Sequence, residues 1–336
     1  MTAATPHGRR SPVGVVLGSH MPPEKIVATA REAERLGYGE LWFSEDCFFT
    51  GAFAGIAAAL AATEQLPMGL GIASAVTRHP ALLAMECATL SRIFPGRFLP
   101  GVGLGVPFWL DQMGLRPKSP LSALRECVTG LRRLLDGETV TEQGKVFAFD
   151  QVELTHKPEE RLPIYTGLVG PKGLQLSGEL ADGTILSVLA GTGYIGWARE
   201  RIAEGQAAAG RAGEPHRVVT YVLYAVDDDP AVARAAVRDA VAFYLAAMPD
   251  NALTEVLGIQ AEVQEKLARG GLETLTAELP DAWIDAMAIA GTPTECAAKL
   301  QAFLAAGSDA IGLWLFPLDR GAEVLERTAR DVLPLL

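Results

Sequence analysis

Short, solid runs of apolar residues alternate with longer stretches in which apolar positions recur every three or four residues, from residue 13 almost to residue 336. A solid run reads as a strand covered on both faces, and the three-to-four spacing as a helix with one buried stripe. Val13–Leu17 is the first strand; Pro22-Pro23 opens a helix through Ile26, Ala30, Ala33 and Leu36, and Gly37 stops it. Strand two over 41–44, an alanine-rich helix over 52–63, strand three over 68–75 and a helix Pro80–Ile93 follow. Strand four spans 97–102 and leads through a loop at 103–109 to a helix Pro120–Leu135. Strict alternation of this kind predicts a parallel sheet with right-handed crossovers.

Residues 138–161 interrupt the order: 146–149 and 152–154 read as the arms of a hairpin, with 157–160 as a polar exit. The rhythm then resumes as one complete βαβ unit. Strand five is 164–166, Gly167 and Gly170 make the turn, Pro171 fits the first helical position, and Asp182-Gly183 ends the helix before strand six over 184–188. A helix over 193–210 and strand seven over 218–226 come next. The helical stretch 227–290 is too long for an ordinary crossover and reads as a second insertion. A helix start at 291–295, with Thr292 or Thr294 as its cap, runs to Gly307, before strand eight over 310–316 and a last helix. Eight strands and eight helices predict an α/β fold, a (β/α)8 TIM barrel forming a single domain over 1–336 with insertions at about 138–161 and 227–290.

Composition narrows the classes of function. A hydrophobic content of 49% supplies a large core, yet no apolar run approaches the ~18 to 20 residues of a membrane helix. Residues 1–11 are polar with Arg9 and Arg10, and read as a frayed tail rather than a signal peptide. A net charge of −11 sets the chain against nucleic acid as a partner. Cys47, Cys87, Cys127 and Cys296 show no paired spacing, which fits reduced thiols in a cytoplasmic protein without a metal site.

In such barrels the chemistry stands at the C-terminal strand ends. Those positions carry Ser19 and His20, Glu45 and Asp46, Ser74, Arg78 and His79, and the 103–109 loop. The turn before Pro171 exposes backbone N–H groups at a helix N-terminus, with Lys172 beside them, which suits a phosphate; alternatively its glycines merely close a tight turn. Lys172 and Arg78 are the cations available to an anionic coenzyme. Gly101-Val102-Gly103-Leu104-Gly105-Val106 lacks the third glycine of a dinucleotide fingerprint, and no Ser-His-Asp order, HExxH or P-loop is present.

The block from Gly167 to Gly183, with its flanking strands, resembles the signature of the bacterial luciferase-like oxidoreductases, most closely the branch that uses the deazaflavin coenzyme F420 and includes methylenetetrahydromethanopterin reductase. The resemblance runs nearly the whole chain. It implies hydride transfer between F420 and a small, partly apolar organic substrate, with FMN-dependent monooxygenase as the alternative and a non-catalytic flavin-binding barrel as a third. It further implies that Val169, Gly170, Lys172 and Gly173 hold the phosphate, while Glu45, Gly71, Ile72, Ala73, Ser74, Gly103 and Leu104 face the ring. Gly71-Ile72 aligns with a non-proline cis peptide of the family. Ser44-Glu45-Asp46 aligns with the family's Thr/Ser, acidic residue and His; Glu45 keeps its role, and Asp46 stands where the His would be. Asp46, Glu45 and His20 are thus the catalytic candidates, the two carboxylates being able to share a proton. Val106 occupies the place of an acidic residue in several relatives, which sets the chain apart from the family's sugar-phosphate dehydrogenase. With Phe108 and Trp109, Val106 forms the expected substrate side. A homodimer through the first three helices is also implied.

Overall fold

The computed structural model describes residues 10–336 except Pro249; the tail at 1–11 falls almost wholly outside the described residues. Strand one, Val13–Leu17, pairs in parallel with strand two, Leu41–Phe43, on one side and with strand eight, Ala310–Leu315, on the other. Strand three comes in two pieces, Met68–Leu70 and Ala73–Ser74, separated at Gly71-Ile72, whose peptide is cis. Its pieces pair successively with the two pieces of strand four, Phe98–Leu99 and Gly101–Gly103. Tyr165–Gly167, Gly183–Leu186 and Arg217–Val226 complete the circuit back to strand eight. The sheet therefore closes on itself, which removes its edges, as the alternating pattern predicts.

The interior is filled rather than hollow. Trp42 is fully buried and takes the volume a side chain at Gly69 would need: a Cβ there would lie 2.1 Å from its ring. Its indole N–H donates to Glu40 at 2.7 Å, and Glu40 holds Arg217 at 2.6 Å. Tyr165 and Tyr221 pack against Trp42 at ring distances of 5.4 and 6.1 Å. This plug gives the mouth of the barrel a solid floor.

Three local readings need correction. The hairpin is Val140–Gln143 against Ala148–Val152, so its first arm lies ahead of the predicted 146–149. That arm is exposed except at Val140, and a solvated ribbon has no apolar alternation to reveal it. The loop at 103–109 contains the start of a short helix, Pro107–Gln112. The insertion after strand seven comprises Pro230–Ala247, Ala252–Leu257, Gln260–Ala277 and Asp281–Met287, but it returns through a strand, Ile289–Gly291, laid beside Tyr224–Val226. Of the two capping candidates before Pro293, Thr292 is the cap, in a reciprocal capping box with Glu295. No described helix is long and apolar enough to cross a membrane, and no metal-competent cluster of His, Cys, Asp and Glu occurs among the described residues.

Candidate active site

Strands one and two end side by side at Leu17 and Phe43, and the loops that follow them meet. The buried hydroxyl of Ser19 donates to Asp46 Oδ2 at 2.5 Å. Burial pushes the Asp46 carboxyl up from its usual value, the Ser19 hydrogen bond pulls it partly back, and the nearby Glu45 charge adds to the rise. Glu45 itself turns the other way. Arg78 donates through Nη1 to its Oε2 at 2.7 Å and through Nη2 to its Oε1 at 2.8 Å, and the Ala52 amide adds a bond at 3.3 Å. The two adjacent carboxylates therefore have separate partners, and the shared-proton arrangement between them is not formed.

Arg78 also meets Glu86 at 3.3 Å and stacks over Phe53 at 5.1 Å. A guanidinium committed to two carboxylates is no free cation for a coenzyme, so that role is withdrawn from Arg78. His79 likewise leaves the list: Nδ1 accepts from Ala81 N and caps the helix Pro80–Ile93, while Nε2 lies 3.1 Å from Ala148 O in the hairpin. His20 stays at the mouth, its ring parallel to Trp314 with centroids 5.9 Å apart, and burial lowers its pKa.

Opposite, strands three to five present a surface almost without side chains. A Cβ on Gly103 would lie 2.6 Å from Ile72 Cδ1, and one on Gly167 2.9 Å from Ile72 Cγ2. Ile72 is thus laid across the glycines of the next two strands. Ala73 and Ser74 stand in register with Val102 and Gly103, and the Ser74 hydroxyl donates to Leu104 O at 3.3 Å. Gly71 leaves room for the Tyr221 hydroxyl, which is buried without a hydrogen-bond partner.

Beyond strand five, Gly170 caps the helix Pro171–Leu180, and no side chain takes up its first N–H groups. Gly170 has φ of −80°, open to any residue, and a Cβ there would meet nothing within 4 Å. The backbone alone therefore does not require glycine at this point. Lys172 is exposed in the first turn, Gly173 packs on Leu168, and Val169 O accepts from Tyr194 at 2.6 Å.

The rim is aromatic. Phe49 meets Trp109 edge-on at 6.0 Å, and Phe48, Val106 and Phe108 are exposed. Tyr244, from the insertion, packs edge-on against Trp314 at 6.1 Å, and its phenol pKa is raised by burial and by the Asp46 charge. Sequence reasoning missed Tyr244 and Trp314, because one sits in an insertion helix and the other in an unbroken apolar strand where it reads as core.

The family model for luciferase-like monooxygenases matches residues 2–310, and the chain belongs to that family. It is 31% identical over 291 residues to 5,10-methylenetetrahydromethanopterin reductase of Methanolobus tindarius, covering 85% of this chain and 88% of the relative. It is 26% identical to F420-dependent glucose-6-phosphate dehydrogenase of Kineococcus radiotolerans, covering 94% and 93%. The solved structure of coenzyme F420-dependent tetrahydromethanopterin reductase from Methanopyrus kandleri superposes with a TM-score of 0.84 at 26% identity, covering 96% and 98%. This is a family of oxidoreductase enzymes, and these relatives carry F420-dependent activities in their names or methanopterin reduction.

Proposed function

We propose that this chain is an F420-dependent oxidoreductase that passes a hydride between the deazaflavin and a small, partly apolar organic substrate. The observation that carries the reading is the strip of Ile72, Gly103 and Gly167 together with the helix N-terminus at Gly170, whose first N–H groups no side chain takes up. A flat ring fits a wall of glycines carrying the one side chain of Ile72, and a phosphate fits open N–H groups. Glu45, Gly71, Ile72, Ala73, Ser74, Gly103 and Leu104 would face the ring. Val169, Gly170, Lys172 and Gly173 would hold the phosphate. When bound, the coenzyme supplies the hydride chemistry. The chain's part is to orient the substrate against Val106, Phe108 and Trp109, to keep water from the reacting face, and to handle a proton through Asp46 or His20.

The reading extends to a cytoplasmic homodimer: Leu82, Met85 and Ile93 lie exposed on the third of the helices implied for the contact, and light scattering tests it. An FMN-dependent monooxygenase is the second reading, favoured by the family description itself. Paired titrations with F420 and FMN test the coenzyme, and oxygen consumption with reduced FMN separates the two reactions.

A further inference from the structure

We propose that Asp46, oriented by Ser19, delivers the proton to the substrate, and that the receiving atom is the oxygen or nitrogen of a polarised double bond in an uncharged molecule. The inference rests on the coenzyme reading above. Asp46 is the catalytic residue in it and Ser19 a positioning residue.

Two groups at the mouth could serve, and their surroundings differ. Neither nitrogen of His20 is hydrogen-bonded among the described residues, so the ring is held by packing, with Trp314 stacked on it. Partial burial also disfavours its charged, proton-carrying form. Asp46 is held by a short bond from a buried neighbour. The hydroxyl of Ser19 has a single proton, and it points at Oδ2. A proton carried on Oδ1 leaves that bond in place, and Oδ1 has no donor among the described residues. Ser19 thus engages one carboxylate oxygen and leaves the other for the substrate.

The groups around Asp46 leave it able to carry that proton. Glu45 and Cys47 flank it in the chain, and Tyr244 faces it from the insertion helix. Arg78, the nearby cation, is matched by Glu45 and Glu86. Among the described residues no cation is paired with Asp46, and Ser19 provides its one direct stabilisation as a carboxylate. The same matched charges bear on the substrate. The mouth offers Phe49, Phe108, Trp109, Tyr244 and Trp314 as contact surface and, among the described residues, no unmatched cation beside Asp46, which suits a neutral, apolar molecule rather than a phosphorylated one.

In the reducing direction the bound coenzyme would supply a hydride, and the substrate carbon would gain a C–H bond. The π pair of the C=O or C=N bond moves to the heteroatom, which takes the proton from Asp46 Oδ1. Asp46 is left as a carboxylate accepting from Ser19, and water at the mouth returns its proton. In the oxidising direction the same carboxylate accepts the proton.

The test is a carboxyl titration of Asp46 by carbon NMR in the coenzyme-free protein, for the native chain, Ser19→Ala and Ser19→Thr, with circular dichroism to confirm folding. The expected result is a higher apparent pKa in Ser19→Ala and a return toward the native value in Ser19→Thr, which keeps the hydroxyl. Turnover of neutral ketones or imines with reduced F420 should fall by roughly 10²- to 10⁴-fold in Asp46→Asn. In Ser19→Ala the pH at which activity is lost should move in the same direction as the titration. An Asp46 titration that ignores Ser19→Ala in a folded protein overturns the pair. Failure of the native chain to bind F420, with the Ser19 coupling intact, overturns the coenzyme reading and the donor role together.

Discussion

Arg78 and Glu45 meet at two points, Nη1 on Oε2 at 2.7 Å and Nη2 on Oε1 at 2.8 Å, and this pair ties the end of strand two to the segment before the third barrel helix. Both side chains are mostly out of water, with 26% and 12% of their surfaces exposed. Geometry of this kind makes the pair sensitive to loss of one partner, because the other remains as an unmatched, half-buried charge. Arg78→Ala should lower unfolding free energy by roughly 2 kcal/mol. The double variant with Glu45→Gln should cost less than the sum of the singles, which urea unfolding of all four proteins measures. Simple additivity would show that the pair is not coupled.

Gly103 offers a sharper probe of the ring surface. A Cβ there would stand 2.6 Å from Ile72 Cδ1 and 3.0 Å from Gly167 O. The flexible end of Ile72 can yield, so Gly103→Ala should fold normally while pushing Ile72 off its place. F420 affinity should then drop roughly tenfold, about 1.4 kcal/mol, with little change in melting temperature. Unchanged affinity would remove this strip from the coenzyme site.

A pH prediction comes from the other side of the barrel. Thr166, Ser177, Thr184 and His216 form one buried chain of hydrogen bonds of 2.6, 2.6 and 2.8 Å. Burial, followed by the charges of Arg199 and Arg211, lowers the His216 pKa to about 4. The unfolded chain binds the proton near pH 6.5 and the folded chain does not, so stability is fully present above that pH. It is lost as pH falls through the interval down to about 4, by about 3 kcal/mol if fully expressed. Denaturant unfolding at pH 7.5 and 4.5 should show the loss in the native protein and a smaller one in His216→Gln. Equal losses in both would assign the effect to other groups.

The barrel was legible because its strands are solid apolar runs and its helices carry one stripe each, so strand order followed from local pattern. The hairpin arm Val140–Gln143 was not, since a solvated two-stranded ribbon needs no apolar face. The return strand Ile289–Gly291 was hidden because three apolar residues after a helix extend the helical pattern equally well. At the site, residue types could be placed at strand ends, but pairing could not. Glu45 and Arg78 are 33 residues apart and Ser19 and Asp46 are 27 apart, and only the closed barrel brings them together. That is why Arg78 read as a cation for a ligand when it is a partner for Glu45.

The central claim is the coenzyme, and fluorescence titration of the purified protein with F420 and, in parallel, FMN tests it most directly. The account predicts saturable binding of F420 with little response to FMN, and weaker F420 binding in Lys172→Ala at low salt. Preference for FMN, or binding of neither, would contradict it.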